Sequence, residues 1–410
     1  MLSFENQIVP ELAESTSISQ RALFLDYLAQ TSDAPLMLEI KSAEGIYLKG
    51  RDGKKYIDLI SGIGVSNVGH RHPHVLRAIR KQLKSYLHVM VYGEYVQSPQ
   101  VNLAKRLVAT LPESLDNVYL VNSGTEAIEG ALKLAKRFTG RTEMISCFNA
   151  YHGSTHGALS MNGSEYFKNA YRPLLPDIKH IRFNEINDLE NITQKTACVL
   201  IETVQGEAGV RVPTKEYLQK LRQKCTETGT LLILDEIQAG FGRTGKFWAF
   251  EHFGIVPDIL VCAKGMGGGM PIGAFISSKK IMSVLTHNPV LGHITTFGGH
   301  PVSCAASLAT IRIILRQKLH EKVAEKEQLF REMLIHPRIK EIRSLGLMMA
   351  LQFENFSEVK SIIDKAISYG VITDWFLYCD SALRIAPPLT INKNQIRDVC
   401  GILLKAMSKK

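Results

Sequence analysis

The stretch LLILDEIQAGFGRTGKFWAFEHFGIVPDILVCAKGMGGG, residues 231–269, decides how the rest of the chain is read. It holds two short apolar runs, LLIL (231–234) and ILVC (259–262). Each is β-favouring and bounded by polar residues or by Gly and Pro, which predicts two buried strands of a parallel sheet. The first run ends in Asp235 and the second, after Ala263, in Lys264. Ligands of open α/β sheets bind at the carboxyl ends of the strands. A carboxylate and an amine delivered there are candidates for one site.

A lysine held against a dry core has a lowered pKa, which frees its amine to attack a carbonyl. An acid nearby can hold a positively charged ring nitrogen. These are the two protein groups that pyridoxal phosphate (PLP) chemistry requires. Strand-terminal Asp and Lys are also common structural residues, so the pair alone leaves both readings open. Two further patterns in the stretch fail. Gly240 to Lys246 begins a P-loop, but Phe247 stands where a Mg²⁺-binding Ser or Thr is needed. Gly240, Gly242 and Gly245 spell a dinucleotide fingerprint, but DEIQA separates them from their strand.

Residues 118–137, VYLVNSGTEAIEGALKLAKR, predict a strand, a turn and an amphipathic helix. Ser123, Gly124 and Thr125 fall at the helix start, where free N–H groups and the helix dipole favour a phosphate. Ser123 with Glu126 three residues on is equally an ordinary capping box.

The segments NSGTEAIEGALKLAKRFTGR (122–141), YHGST (151–155), ETVQGEAGV (202–210), LDEIQAGFGRTG (234–245), AKGMGGGMPIGA (263–274) and TTFGGHP (295–301) follow one another in a familiar order and spacing. Together they resemble the class III aminotransferases, PLP enzymes of fold type I, and most closely the ornithine/acetylornithine branch. The resemblance runs from about Gly45 to about Leu389. It implies an α/β fold: a large domain with a central, mostly parallel seven-stranded sheet, and a smaller α+β domain from both chain ends. The boundaries expected are 1–55 for the N-terminal segment of the small domain, 56–300 for the large domain and 301–410 for the C-terminal part.

The resemblance also assigns roles. Lys264 becomes the Schiff-base lysine and proton carrier, and Asp235 the partner of the ring nitrogen. Gly124 and Thr125, with Ser123 beside them, anchor the phosphate, joined by Thr296 from a neighbouring subunit, which implies a homodimer with shared active sites. Tyr151 stacks on the ring beside His152, Gln238 meets the ring's phenolic oxygen, and Glu202 lies near the cofactor. Glu207 and Arg384 form a gate that pairs when a monocarboxylate donor is bound and opens for glutamate. Arg suits that task because its planar fork binds a carboxylate at two points. The family often carries Arg after His-Gly; this chain has Ser154 there, with Arg172 in the next loop as a possible substitute. The activity implied is transfer of an amino group from an ornithine- or N-acetylornithine-like donor to 2-oxoglutarate, through a pyridoxamine phosphate form of the cofactor. A mutase, decarboxylase or phospholyase on the same scaffold, and a catalytically silent binding homologue, are the alternatives.

The remaining features fit this frame. The 410 residues, 45% hydrophobic and 21% charged, describe a globular chain with ample core. Its net charge of +10 comes with Lys and Arg spread along the sequence, which argues against a nucleic-acid role. Seven cysteines without paired spacing read as reduced core residues of a cytoplasmic protein. Residues 1–15 lack the pattern of a signal peptide, and no apolar run reaches the ~20 residues of a membrane span. His70, His72 and His74 alternate in GHRHPH (69–74), but Pro73 and the lack of other ligands make this a turn before a helix at 74–86, not a metal site. Tyr92 could line the mouth of the site or pack as an ordinary aromatic. Helices are expected at 16–32, 316–334, 357–369 and 393–408, with strands near 44–64, 347–353 and 383–388.

Overall fold

The computed structural model describes residues 19–408. The signal-peptide reading of residues 1–15 and the start of the helix expected at 16–32 lie outside them; the described helix is Gln20–Tyr27.

Strands β1 (Ile40–Glu44), β2 (Tyr47–Gly50) and β3 (Lys55–Asp58) form an antiparallel meander. The RDGKK turn joins the last two, as the sequence predicts. The central sheet follows: β4 (Asn117–Val121), β5 (Glu143–Cys147), β6 (Ile178–Ile181), β7 (Thr196–Glu202), β8 (Leu231–Asp235), β9 (Ile259–Cys262) and β10 (Gly273–Ser277). Its order is β4-β10-β9-β8-β7-β5-β6, and only β10 runs against its neighbours. The seven strands are the mostly parallel sheet expected of the fold.

Strands β7 to β10 are buried at every residue, so their apolar runs show no polar alternation. Successive side chains still point to opposite faces. Leu231, Ile233, Ile259 and Val261 pack with Ala127, Ile128 and Ala131 of helix Gly124–Thr139. Leu232, Leu234, Leu260 and Cys262 pack with Tyr217, Leu218 and Leu221 of helix Lys215–Thr228. Gly130 is required for the first contact, because a Cβ there would sit 2.3 Å from Phe275 Cε1.

The C-terminal part adds an antiparallel sheet, in the order β11-β12-β15-β14, built from β11 (Glu341–Ser344), β12 (Met349–Gln352), β14 (Trp375–Phe376) and β15 (Cys379–Ile385). Between them β13 (Val371–Ile372) joins the N-terminal meander, parallel to β3. Strands β11, β13 and β14 are short and were not anticipated. The helix expected at 316–334 starts late: the preceding helix, Pro301–Arg316, ends at that point, the chain turns with Lys318 at φ +50°, and the next helix spans Val323–Met333. A left-handed non-glycine residue cannot lie within an α-helix.

His70 bonds Asp58 at 2.8 Å, and His72 caps helix Pro73–Leu83, which occupies the place expected for 74–86. All seven cysteines are free, and among the described residues no helix is long and apolar enough to cross a membrane.

Candidate active site

Parallel pairing sets the site. Glu202 and Asp235 are in-register partners at the ends of β7 and β8, and Asp235 is paired with Val261 of β9. Three residues beyond Val261 the chain places Lys264 at the same edge, with φ +44°. A side-chain-bearing residue held there stores roughly 1 kcal/mol or more of strain, which the close-packed GMGGG turn must offset. These ends open into a cavity of ≈ 540 Å³, the size range of small-molecule sites.

Asp235 lies at its floor, held still from two sides. Its Oδ2 is 2.8 Å from His152 Nδ1, and its Oδ1 accepts the Ile237 N–H at 2.9 Å. His152 is itself fixed by Ser146 Oγ at 3.2 Å. Lys264 faces the cavity but is otherwise enclosed, and among the described residues its ammonium makes no hydrogen bond or ion pair. Burial lowers its pKa, opposed by the charges of Glu207 and Asp235. An amine with lowered pKa and no partner among the described residues has the character that the sequence reading expects of a nucleophile.

At one end of the cavity helix Gly124–Thr139 presents its N-terminus. Ser123 Oγ accepts the Glu126 N–H at 3.3 Å, but the Glu126 carboxylate reaches past Ser123 to the Asn122 N–H at 2.7 Å. The capping box is thus displaced by one residue. The N–H groups of Gly124 and Thr125 have no partner among the described residues, and with the helix dipole they form an anion seat. A Cβ on Gly124 would fall 2.8 Å from Ile237 Cδ1, so a larger residue there would force the Ile237 side chain to shift.

Tyr151 and His152 line the cavity four and five residues past β5. The Tyr151 N–H donates to Glu202 Oε1 at 3.0 Å, and its hydroxyl meets Ser154 Oγ at 3.2 Å. Glu202 Oε2 accepts the Gly206 N–H at 2.8 Å. Burial, reinforced by the charge of Asp235, pushes the Glu202 carboxyl up to about 8. Gln238 lines the cavity from a run of turns rather than a helical turn, and its Nε2 donates to Glu207 Oε1 at 3.3 Å.

Glu207 carries the second feature. Arg384 Nη1 and Nη2 donate to its Oε1 and Oε2 at 2.9 and 2.8 Å, and both residues are buried. Burial would raise the Glu207 pKa, but the Arg384 charge and its hydrogen bonds prevail and hold it at about 2. Arg384 Nε donates to Asp374 Oδ1 at 2.8 Å, and its guanidinium lies 4.3 Å from the Phe376 ring centre.

Ten of the expected residues therefore border one cavity or its Arg384 pair: Ser123, Gly124, Thr125, Tyr151, His152, Glu202, Glu207, Asp235, Gln238 and Lys264. Thr296 does not line it; it is exposed on the loop where Thr295 Oγ1 accepts from Asn122. Tyr92 also lies outside. Arg172, the possible substitute for the arginine missing at Ser154, does not line the cavity: its Nη2 donates to both carboxylate oxygens of Glu165, at 2.9 and 2.8 Å. Sequence reasoning missed Asn122, Val65 and the Met270–Ile272 wall. It also missed Asp374, which the short β14–β15 hairpin brings to Arg384 and which carries no motif.

Comparison with known proteins agrees with this geometry. The family profile "Aminotransferase class-III" matches residues 27–407. An acetylornithine aminotransferase of Methanocaldococcus jannaschii is 40% identical over 375 residues, covering 88% of this chain and 91% of its own. A putrescine aminotransferase of Pectobacterium atrosepticum is 39% identical, over 86% of this chain and 78% of its own. The ornithine aminotransferase of Toxoplasma gondii ME49 superposes with a TM-score of 0.89 at 27% identity, over 95% of this chain and 96% of its own. With the family profile spanning nearly its whole length, the chain belongs to the class III aminotransferases, which are PLP-dependent transaminases.

Proposed function

We propose that this transaminase takes its amino group from an amine or amino acid of the ornithine/N-acetylornithine kind and delivers it to 2-oxoglutarate. The observation that carries this reading is the buried two-point pairing of Glu207 with Arg384 at the cavity edge. A donor whose reacting amine has no adjacent carboxylate leaves that pair intact. Glutamate and 2-oxoglutarate carry a carboxylate next to the reacting carbon, which takes the place of Glu207 on Arg384.

The residues present fit PLP. The unpartnered Gly124 and Thr125 amides, beside Ser123, would take its phosphate, with Thr296 of a second copy. Asp235 would hold the ring nitrogen, Tyr151 would cover the ring beside His152, and Gln238 and Glu202 would border it. Lys264 would carry the cofactor. Bound there, PLP supplies an electron sink that stabilises negative charge on the amino-bearing carbon.

The protein's own part is positioning and proton transfer. The lowered pKa of Lys264 favours the neutral amine that would take the proton from that carbon and later return one. The fixed His152–Asp235 pair keeps a negative charge at the cavity floor, where a cationic ring nitrogen needs it. Tyr151 and Ser154 bring hydroxyls to the cavity wall, which can hydrogen-bond the far, carboxylate-bearing end of such a donor.

A homodimer and a cytoplasmic location belong to the same reading. Val96 is 94% exposed, and Tyr95, Ile294 and Phe297 are also exposed. Such apolar groups are covered by a partner in a stable oligomer. We assign residues 56–300 to the cofactor-bearing domain and 1–55 with 301–410 to the smaller one. Steady-state assays with ornithine, N-acetylornithine, putrescine and lysine, each with 2-oxoglutarate, test the donor assignment. Glutamate formed from at least one of the first two is expected, and its absence with every donor refutes the substrate class.

A further inference from the structure

The positive charge is spread along the sequence but not in space. Residues 59–93 and 259–320 hold eleven lysines and arginines and not one acidic residue. The other segments hold 38 basic and 39 acidic residues, so these two stretches account for the whole net charge of +10. The fold sets them side by side. Helix Pro73–Leu83 from the first packs against helix Pro301–Arg316 from the second.

A groove of ≈ 280 Å³ runs between the two helices, separate from the catalytic cavity. It is edged by Arg77 and Lys81 from one helix and Arg312 and Arg316 from the other, with His74 at one end. Small residues, Ala78 and Ala309, make its floor. Among the described residues none of the four cationic side chains makes a hydrogen bond or an ion pair. Each pair is also spaced i, i+4 on its helix, where like charges repel. Four uncompensated cations converging on one concave surface are unfavourable without an anion and favourable with one.

The walls are fixed. A Cβ on Gly268 would lie 2.1 Å from Thr310 Oγ1 and 3.4 Å from Val75 Cγ1, so both helices are braced on the turn that follows Lys264. A rigid cationic groove loses little on binding. Three arginines present forked donors matched to phosphate oxygens, with Lys81 as a point charge.

We propose that this groove binds the phosphate group of a small phosphorylated ligand, apart from the cofactor and the amino-group substrates. Calorimetric titration of the PLP-loaded enzyme with inorganic pyrophosphate at about 0.15 M ionic strength, where the Debye length is about 8 Å, tests it. Saturable binding is expected, weakened roughly tenfold or more by Arg77→Glu and by Arg312→Glu, and to a smaller extent by the milder Arg312→Gln. The same charge reversal outside the groove, Lys280→Glu, is expected to weaken it less than about threefold, because screened charges beyond a Debye length contribute little. All four variants should keep wild-type melting temperature and turnover. Co-sedimentation with phosphatidylglycerol vesicles that pyrophosphate competes away would place the phosphate on a lipid headgroup. Pyrophosphate binding without co-sedimentation would place it on a free ligand; both results support the site. No binding by the wild type, equal weakening by Lys280→Glu, or binding confined to duplex DNA overturns it.

Discussion

Arg384 and Glu207 meet fork to fork, Nη1 to Oε1 at 2.9 Å and Nη2 to Oε2 at 2.8 Å, at the edge of the cavity that holds Lys264. Breaking such a buried pair without replacement costs roughly 3–5 kcal/mol. A substrate carboxylate is the replacement that would remove this cost, so under the proposed function the pair would open for acids that bring one and stay closed for donors that do not. Asp374 Oδ1, 2.8 Å from Arg384 Nε, gives the guanidinium a second carboxylate partner that does not depend on Glu207.

The same pair makes an acid-sensitive contribution to stability. The folded pKa of Glu207, about 2, lies below its ordinary value of 4.5, so the stabilisation is present above pH 4.5 and is lost as pH falls through about 2. The shift corresponds to about 3 kcal/mol. Denaturant unfolding at pH 7, 4 and 3 should show Glu207→Gln less stable than wild type at pH 7 and closing the gap on acidification. Parallel curves at all three pH values contradict the assignment.

Lys264→Ala should abolish turnover, by roughly 10³-fold or more, because proton transfer and the cofactor link both depend on its amine. Its melting temperature should change little, since that ammonium makes no hydrogen bond. Full activity in the variant would remove Lys264 from the chemistry.

Asp235→Asn should lower kcat by roughly 10²-fold, through loss of the buried negative charge at the cavity floor. His152, 2.8 Å from Asp235 Oδ2, should hold the substituted side chain in place, so the far-ultraviolet circular dichroism stays unchanged. A kcat within threefold of wild type, roughly 0.6 kcal/mol of barrier, would leave Asp235 a structural residue.

Val96→Asp should dissociate the proposed homodimer and take turnover with it, although Val96 lies outside the cavity. Sedimentation velocity is expected to shift from dimer to monomer at micromolar concentration. An active monomer would refute shared sites and the part given to Thr296.

Much of this was legible in the sequence, for identifiable reasons. Strands β7, β8 and β9 are buried on both faces, so their apolar runs announce themselves, and parallel register then carries Glu202, Asp235 and Lys264 to one edge. The anion seat was visible as Ser-Gly-Thr before an amphipathic helix, and so was the Ser123 cap; only the Glu126 carboxylate departs from the expected box, by turning to Asn122. Glu207 and Arg384 lie 177 residues apart and were joined only through family resemblance. Asp374 left no trace, since it depends on β14, a strand of two residues. The late start of the helix Val323–Met333 was hidden because it rests on one left-handed residue, Lys318, of good helix propensity. The basic groove escaped because charge was judged along the chain, while two acid-free segments converge only in the fold.

The most direct test of the account is the visible spectrum of the PLP-loaded enzyme before and after addition of L-glutamate, with no oxo acid present. The account predicts that the yellow cofactor band is lost, that 2-oxoglutarate restores it, and that Arg384→Ala slows the loss roughly 10²-fold, the cost of a missing buried carboxylate partner. A band that glutamate leaves unchanged in the wild type, or that responds equally in Arg384→Ala, would contradict glutamate exchange through the Arg384–Glu207 gate.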